Sequence, residues 1–199
     1  MPPLRIPVHY DFASTICYVA HRVMERMTPT LEELELELCW TPLDLAALCG
    51  YPRGAEVPEA RRANALRVAE ELRVPLRAPG LWLDSREAAA AAIAAETTRG
   101  EASWRERVFS AVFEEGRGDL DADTVRSLAG DLGRDLADAD LASGREELLR
   151  RTEQAARAQV TGVPTFMLGS WPFGGIQQED TMRHILTRYS RKARAGQLS

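Results

Sequence analysis

Leu4-Arg5-Ile6-Pro7-Val8-His9-Tyr10-Asp11-Phe12-Ala13-Ser14-Thr15-Ile16-Cys17-Tyr18 joins a strand to a helix, and the rest of the architecture follows from it. Between Leu4 and Phe12, the residues Ile6, Val8 and Tyr10 fall on one face, the period of a short strand. Asp11 to Ser14 then turns into a helix from about Thr15 to Met27. Ser14 is suited to the N-cap, since its hydroxyl can accept from an unpaired first-turn amide. Cys17 follows three residues later, so the two side chains share one edge of the first turn. Unpaired amides and the positive end of the helix dipole favour an anion there, and a thiol in that field is expected to ionise more easily. Taken alone, a serine cap and a helix cysteine are ordinary features.

Reading outward, Leu31 to Trp40 alternates, with Leu34, Leu36 and Leu38 facing one way and Glu33, Glu35 and Glu37 the other, which predicts a second strand. The two strands flank a helix, so they are expected to run parallel with a right-handed crossover. Residues from Pro58 to Val160 read as helices. Proline opens one that runs to Arg73. Capping boxes are expected at Asp84-Ser85-Arg86-Glu87 and at Ser143-Gly144-Arg145-Glu146, and Ser103-Trp104-Arg105-Glu106 opens another helix. A further helix spans Asp123 to Leu132, ended by Gly133, and Glu114 to Asp140 forms an acidic surface. Beyond Gly162 the pattern reverts. Thr165 to Leu168 and Trp171 to Phe173 are short strands joined by Gly169-Ser170, hence an antiparallel hairpin, and a closing helix runs from Glu179 to about Ala195. A mixed four-stranded sheet with a helical insertion accounts for this order.

Composition narrows the function. The chain has 199 residues, 25 basic and 30 acidic, for a net charge of −5, which gives no general reason to expect nucleic-acid binding. The five bases between Arg183 and Arg194 are not interleaved with the aromatic residues that a nucleic-acid stacking platform needs. No apolar run approaches the roughly 18 residues of a membrane span, and no secretory leader precedes Leu4, so the cytoplasm is the expected compartment. Three cysteines do not make a disulfide framework. Cys39 and Cys49 read as core or partly exposed thiols. His9, His21 and His184 show no metal spacing, so no metal is expected, and His21 reads as a surface histidine on the Cys17 face.

The second informative stretch is Thr161-Gly162-Val163-Pro164-Thr165-Phe166. A proline opening a strand cannot donate to the ladder, and a cis bond before it would leave the Val163 backbone free to pair with an extended ligand. Together, Asp11-Phe12-Ala13-Ser14-Thr15-Ile16-Cys17-Tyr18, Gly162-Val163-Pro164-Thr165-Phe166, Phe109 to Gly116 and Phe173-Gly174-Gly175-Ile176-Gln177 resemble the DsbA-like branch of the thioredoxin superfamily. The nearest subgroups are FrnE-type dithiol oxidoreductases, 2-hydroxychromene-2-carboxylate isomerases and kappa-class glutathione transferases. The resemblance implies an α/β, thioredoxin-like mixed four-stranded sheet with a large all-helical insertion. Residues 4–40 plus 160–195 would form the thioredoxin-like domain and 41–159 the helical insertion domain.

The departure from the family pattern decides the chemistry. Redox members carry Cys-x-x-Cys, and here Ser14 stands in the attacking position, Thr15 where proline is usual, and Cys17 in the resolving one. Ser14 and Cys17 cannot cycle as a dithiol. The resemblance makes Ser14 and Cys17 the candidate catalytic residues, and Thr15, Val163, Pro164 and Gln177 the candidates for binding substrate or glutathione. Isomerase and transferase members carry serine at the first position, where it donates to the glutathione thiolate. They usually have a second serine where Cys17 stands, and their acidic or hydroxyl pair is replaced here by Ile176-Gln177-Gln178, with Glu179 and Asp180 beyond. Three readings stay open: a degenerate thiol-disulfide oxidoreductase with Ser-x-x-Cys, a glutathione-dependent isomerase or transferase using Ser14, and a non-catalytic peptide-binding module. The implied partners are a thiol-containing small molecule or an extended client peptide, with a homodimer left open. No tightly bound cofactor is expected; glutathione would be substrate or cosubstrate.

Overall fold

The computed structural model describes residues 2–197. β1 (Leu4–Tyr10) buries Ile6, Val8 and Tyr10 completely, as their alternation predicts. It pairs in parallel with β2 (Leu36–Pro42), from Leu4 against Leu36 to Tyr10 against Pro42. β1 also pairs antiparallel with β3 (Thr165–Leu168), which forms a hairpin with β4 (Trp171–Gly174), giving the order β2-β1-β3-β4. The expected thioredoxin-like mixed sheet is therefore present. Between β1 and β2 lie α1 (Thr15–Arg26) and α2 (Thr28–Glu33).

α2 corrects the second strand. The chain from Leu31 to Glu33 is helical, because Pro29 opens a turn at a first-turn position where its missing amide costs nothing. Glu35, at φ 50°, then breaks the helix, and the strand starts at Leu36. Leu34, Leu36 and Leu38 do alternate, but only the last two lie in the sheet.

The named elements between β2 and β3 are all helices: α3 (Leu45–Cys49), α4 (Glu59–Glu71), α5 (Arg86–Glu96), α6 (Glu101–Phe113), α7 (Ala122–Asp131) and α8 (Asp138–Arg157). A lone bridge pairs Glu56 with Leu81. α9 (Glu179–Arg194) closes the chain. Several starts differ from expectation. α6 begins at Glu101, two residues before Ser103. Ser85 sits at the N-cap of α5 but makes no capping bond; its hydroxyl donates to Asp11 instead. α8 starts at Asp138, where Asp140 accepts from the Ala137 amide at 3.2 Å, so Ser143 to Glu146 lie inside the helix. No helix among the described residues is long and apolar enough to cross a membrane.

One cluster of buried residues runs through sheet and helices together. Phe109 of α6 links them, with its ring 5.1 Å from Phe12, 5.9 Å from Tyr10 and 6.0 Å from Tyr18. Behind it, α5 buries Ala88 to Ala92 and packs along α8. Gly144 makes that approach: an added Cβ would sit 2.4 Å from the Ala90 carbonyl oxygen, a rigid backbone atom. Alanine is intrinsically better than glycine inside a helix by about 1 kcal/mol, but forcing two backbones apart costs about 3 kcal/mol. The contact decides the sign. Gly144→Ala is expected to be destabilised by about 2 kcal/mol in urea unfolding; a neutral or stabilised variant would mean the two helices part freely.

Candidate functional site

The site is built where β1 hands over to α1. Ser14 caps α1 with its Oγ accepting from the Cys17 amide at 3.3 Å, in extended conformation at φ −91° and ψ 111°. The first turn of α1 contains no acidic residue, although the buried Asp11 carboxylate lies just before the cap and accepts from Ala13 N at 2.7 Å. Ser14, Thr15 and Ile16 face a cavity of about 580 Å³. Its other walls include Thr161 to Val163, Cys49 at the end of α3 and Tyr51 just after it, Arg61 and Arg62 of α4, and Leu81-Trp82. Two arginines and no carboxylate are among the lining residues, and the buried Asp11 charge acts from behind the wall against that of Arg61 at Cys49. Tyr51 and Trp82 stack at 4.4 Å, and the Arg61 guanidinium lies over both rings at 4.7 and 5.5 Å while donating to the Tyr51 hydroxyl at 2.6 Å.

Of the candidate residues, the fold brings Ser14, Thr15 and Val163 onto this one cavity. The Val163–Pro164 bond is cis, and Pro164 is buried, its carbonyl accepting from Gly175 N at 2.8 Å. Neither backbone polar atom of Val163 has a hydrogen-bond partner among the described residues. Gln177 is exposed and is not part of the cavity wall. Glu179 is drawn to Arg26 at 2.7 Å.

Cys17 reverses the expectation of an easily ionised thiol. It is 0 % exposed, and burial pushes its pKa up to about 12 against the opposing hydrogen bonds of the Ser14 hydroxyl and the Asp11 backbone. The helix-end argument is local, and desolvation of the whole side chain outweighs it. His21 is likewise buried rather than on the surface, with Nε2 2.8 Å from Glu106 Oε2. Its ligand atoms and those of Glu25 and Glu106 come within 4.8 Å of one another, but the Arg22 guanidinium already spans both carboxylates at 2.7 and 2.8 Å. Cys39 lies elsewhere, accepting from Arg5 Nε at 3.1 Å.

Asp11 is the residue the sequence reading passed over. It is 1 % exposed. Its Oδ1 accepts from Ala13 N at 2.7 Å and from Ser85 Oγ at 2.6 Å, and its Oδ2 from Leu45 N at 2.6 Å. One carboxylate thus ties the turn before Ser14 to the starts of α3 and α5. Burial raises its pKa to about 6, despite those three donors. The local signal was the Asx turn from Asp11 to Ala13; the other two partners are tertiary.

A model of the DSBA-like thioredoxin domain matches residues 5–187. The chain belongs to that family. Among solved structures, the family likeness includes a 2-hydroxychromene-2-carboxylate isomerase at 21% identity and TM-score 0.74, covering 97% of this chain and 98% of the other. A probable DsbA oxidoreductase from Streptomyces coelicolor matches at 16% identity and TM-score 0.72, over 94% and 89%. The cytosolic disulfide reductase DsbM from Pseudomonas aeruginosa, solved with GSH, matches at 22% identity and TM-score 0.67, over 94% and 100%. Identities this low speak to the shared fold. No curated protein matches the sequence.

Proposed function

We propose that this chain is a glutathione-dependent enzyme of the isomerase or transferase type, in which Ser14 holds the glutathione sulfur as a thiolate. The observation that carries this reading is that Ser14 lines the cavity at the helix end, while the only thiol of the motif is sealed behind it with its pKa pushed up to about 12. Glutathione loses its thiol proton to solvent, and the Ser14 O–H donates to the resulting anion. The first-turn amides of Thr15 and Ile16 have no place in the helix ladder and add to that field. The free backbone edge of Val163 suits the peptide-like body of glutathione, and Arg61 and Arg62 suit its carboxylates. In the transferase case the bound thiolate then attacks an electrophilic carbon such as that of an aryl halide, a C–S bond forms as the carbon–halogen bond breaks and halide leaves with its electron pair, and the serine stays unmodified. A redox role through Cys17 is less well supported, since a neutral buried thiol is a poor nucleophile. Three free cysteines suit a reducing compartment, in keeping with the cytoplasm.

The test is Ser14→Ala assayed for conjugation of reduced glutathione to a general aryl halide electrophile. Loss of one donor to the developing anion is expected to lower kcat/KM by about 100-fold. Removal of the cap costs about 1 kcal/mol of stability, so Ser14→Thr, which keeps hydroxyl and cap, should recover most of the activity. An Ala variant as active as wild type would overturn the reading.

A further inference from the structure

At the end of β3 remote from Pro164, another cavity of about 400 Å³ opens between the β3–β4 hairpin and α9. It shares no lining residue with the cavity at Ser14. Its volume falls within the roughly 300–1,000 Å³ typical of small-molecule sites. Leu168, Ile185 and Tyr189 supply apolar surface, and Trp171 stands at the rim, 58 % exposed. The indole is braced: its ring centroid lies 5.7 Å from that of Phe173, which lies 6.2 Å from the buried Phe166. Arg188 and Lys192 complete the wall, one turn apart on α9.

The polar groups of this wall have donors to spare. Tyr189 is buried to all but 9 %, yet its hydroxyl has no hydrogen-bond partner among the described residues. A buried tyrosine usually finds one. The oxygen is not sealed in the interior, and this cavity is where it meets open space. The Trp171 indole N–H, the Arg188 guanidinium and the Lys192 ammonium likewise have no partner among the described residues. No carboxylate is among the described residues that line the cavity. The acids near α9 are engaged elsewhere: Glu33 with Arg183 at 2.9 Å, Glu35 with Arg194 at 3.0 Å and Glu179 with Arg26 at 2.7 Å. Asp180 lies about two turns before Arg188. Arg191 and Arg194 share the last turn of α9 with Lys192, so the negative end of the helix dipole is answered without drawing on Arg188.

We propose that this cavity is a separate binding site for a small organic anion with a flat apolar body, an aryl sulfonate or aryl carboxylate in type. The ring system lies against Trp171 and over Leu168 and Ile185. The anionic oxygens accept from Arg188, Lys192 and the Tyr189 hydroxyl, which meets their demand for charge-assisted donors. The ligand binds here without reacting. The site does not depend on how Ser14 works.

The experiment titrates the full chain with 8-anilinonaphthalene-1-sulfonate, followed by fluorescence, with the stoichiometry taken from calorimetry. One equivalent is expected to bind at this site. Arg188→Gln, at an exposed position, should weaken it about tenfold by removing a charge-assisted contact. Tyr189→Phe keeps the ring and should cost about fivefold, the worth of one hydrogen bond. Trp171→Ala should cost about tenfold. N-phenyl-1-naphthylamine, which has the same rings and no sulfonate, should bind about tenfold more weakly than the sulfonate. Trp82→Ala, in the wall of the Ser14 cavity, should leave the affinity for the sulfonate unchanged. Equal affinity for the uncharged probe would make the cavity a plain apolar surface and overturn the proposal. A titration unmoved by both Arg188→Gln and Tyr189→Phe, loss of the site in Trp82→Ala, or failure of the sulfonate to bind would overturn it as well. So would sedimentation as a dimer that Trp171→Ala dissociates, since the cavity would then be a contact between two copies of the chain.

Discussion

Ser14→Cys is expected to turn this chain into a working dithiol oxidoreductase, with insulin-type disulfide reduction rising on the order of 100-fold over wild type. In the wild type the motif offers only Cys17, whose pKa is pushed up to about 12. At pH 7 its thiolate is on the order of one part in 10⁵. It is also 0 % exposed, so no client disulfide reaches it. A cysteine at position 14 would lie at the capping position of α1, facing the cavity, where helix-end amides hold thiols in the range of about 3.5–7.5. It would attack the client, and Cys17, one turn deeper, would resolve the mixed disulfide. The first thiol would then line the cavity while the second stays sealed, the division that Cys-x-x-Cys chemistry requires. The variant is made with Cys49→Ser, so that Cys49 cannot serve as resolving thiol. Adding Cys17→Ala should remove multiple turnover while leaving a single mixed disulfide per chain. The idea fails if wild type already reduces insulin at the rate of the variant, or if Ser14→Cys gains nothing while remaining folded.

The sheet and the site loop were legible because their signals are local. Ile6, Val8 and Tyr10 alternate within one strand, Ser14 caps through its own backbone neighbourhood, and Gly162-Val163-Pro164 brings a cis bond beside α1. What failed to show did so for tertiary reasons. Ser143 to Glu146 carries a helix-start pattern, yet it lies inside α8, whose Gly144 is needed for contact with Ala90. Leu34 belongs to an alternating run, but Glu35 takes a positive φ and the strand begins after it. The Cys17 thiol was read from the helix dipole, a field of the first turn, whereas its burial comes from aromatic and aliphatic groups distant in sequence. The cavity walls from α4 and Trp82 had no signal at all, since Arg61 and Trp82 meet only when the helical segment folds back on α1.

Asp11 should make stability fall as pH rises from about 4 to 6, the opposite of the usual carboxylate. Its folded pKa is raised from 3.8 to about 6, so within that window the folded state holds a proton that the unfolded chain has lost. By linkage, ∂ΔG/∂pH is then negative, and the contribution present below pH 4 is lost as pH passes through the folded pKa. A shift of about two units is worth about 3 kcal/mol, of which about 2 to 3 falls between pH 4 and 7.5. Other groups titrate nearby and must be subtracted. Burial lowers the pKa of His9 and His21, which makes stability rise with pH through the same range, and the hydrogen bonds of Arg150 and Arg151 hold Glu147 at about 2 against 4.5, which makes stability rise with pH up to about 5. The measurement is therefore the difference between wild type and Asp11→Asn in urea unfolding across pH 4 to 7.5. Asparagine cannot titrate, and its amide would face the Leu45 N–H or the Ala13 N–H as donor against donor, a conflict of about 1 to 3 kcal/mol. The deficit of the variant should therefore be greatest near pH 4 and shrink by about 2 to 3 kcal/mol toward pH 7.5. A pH-independent deficit would mean that the three donors hold Asp11 as an ordinary carboxylate. The turn that presents Ser14 would then rest on a permanent buried charge, one that also disfavours ionisation of the neighbouring Cys17 at every pH where the chain is folded.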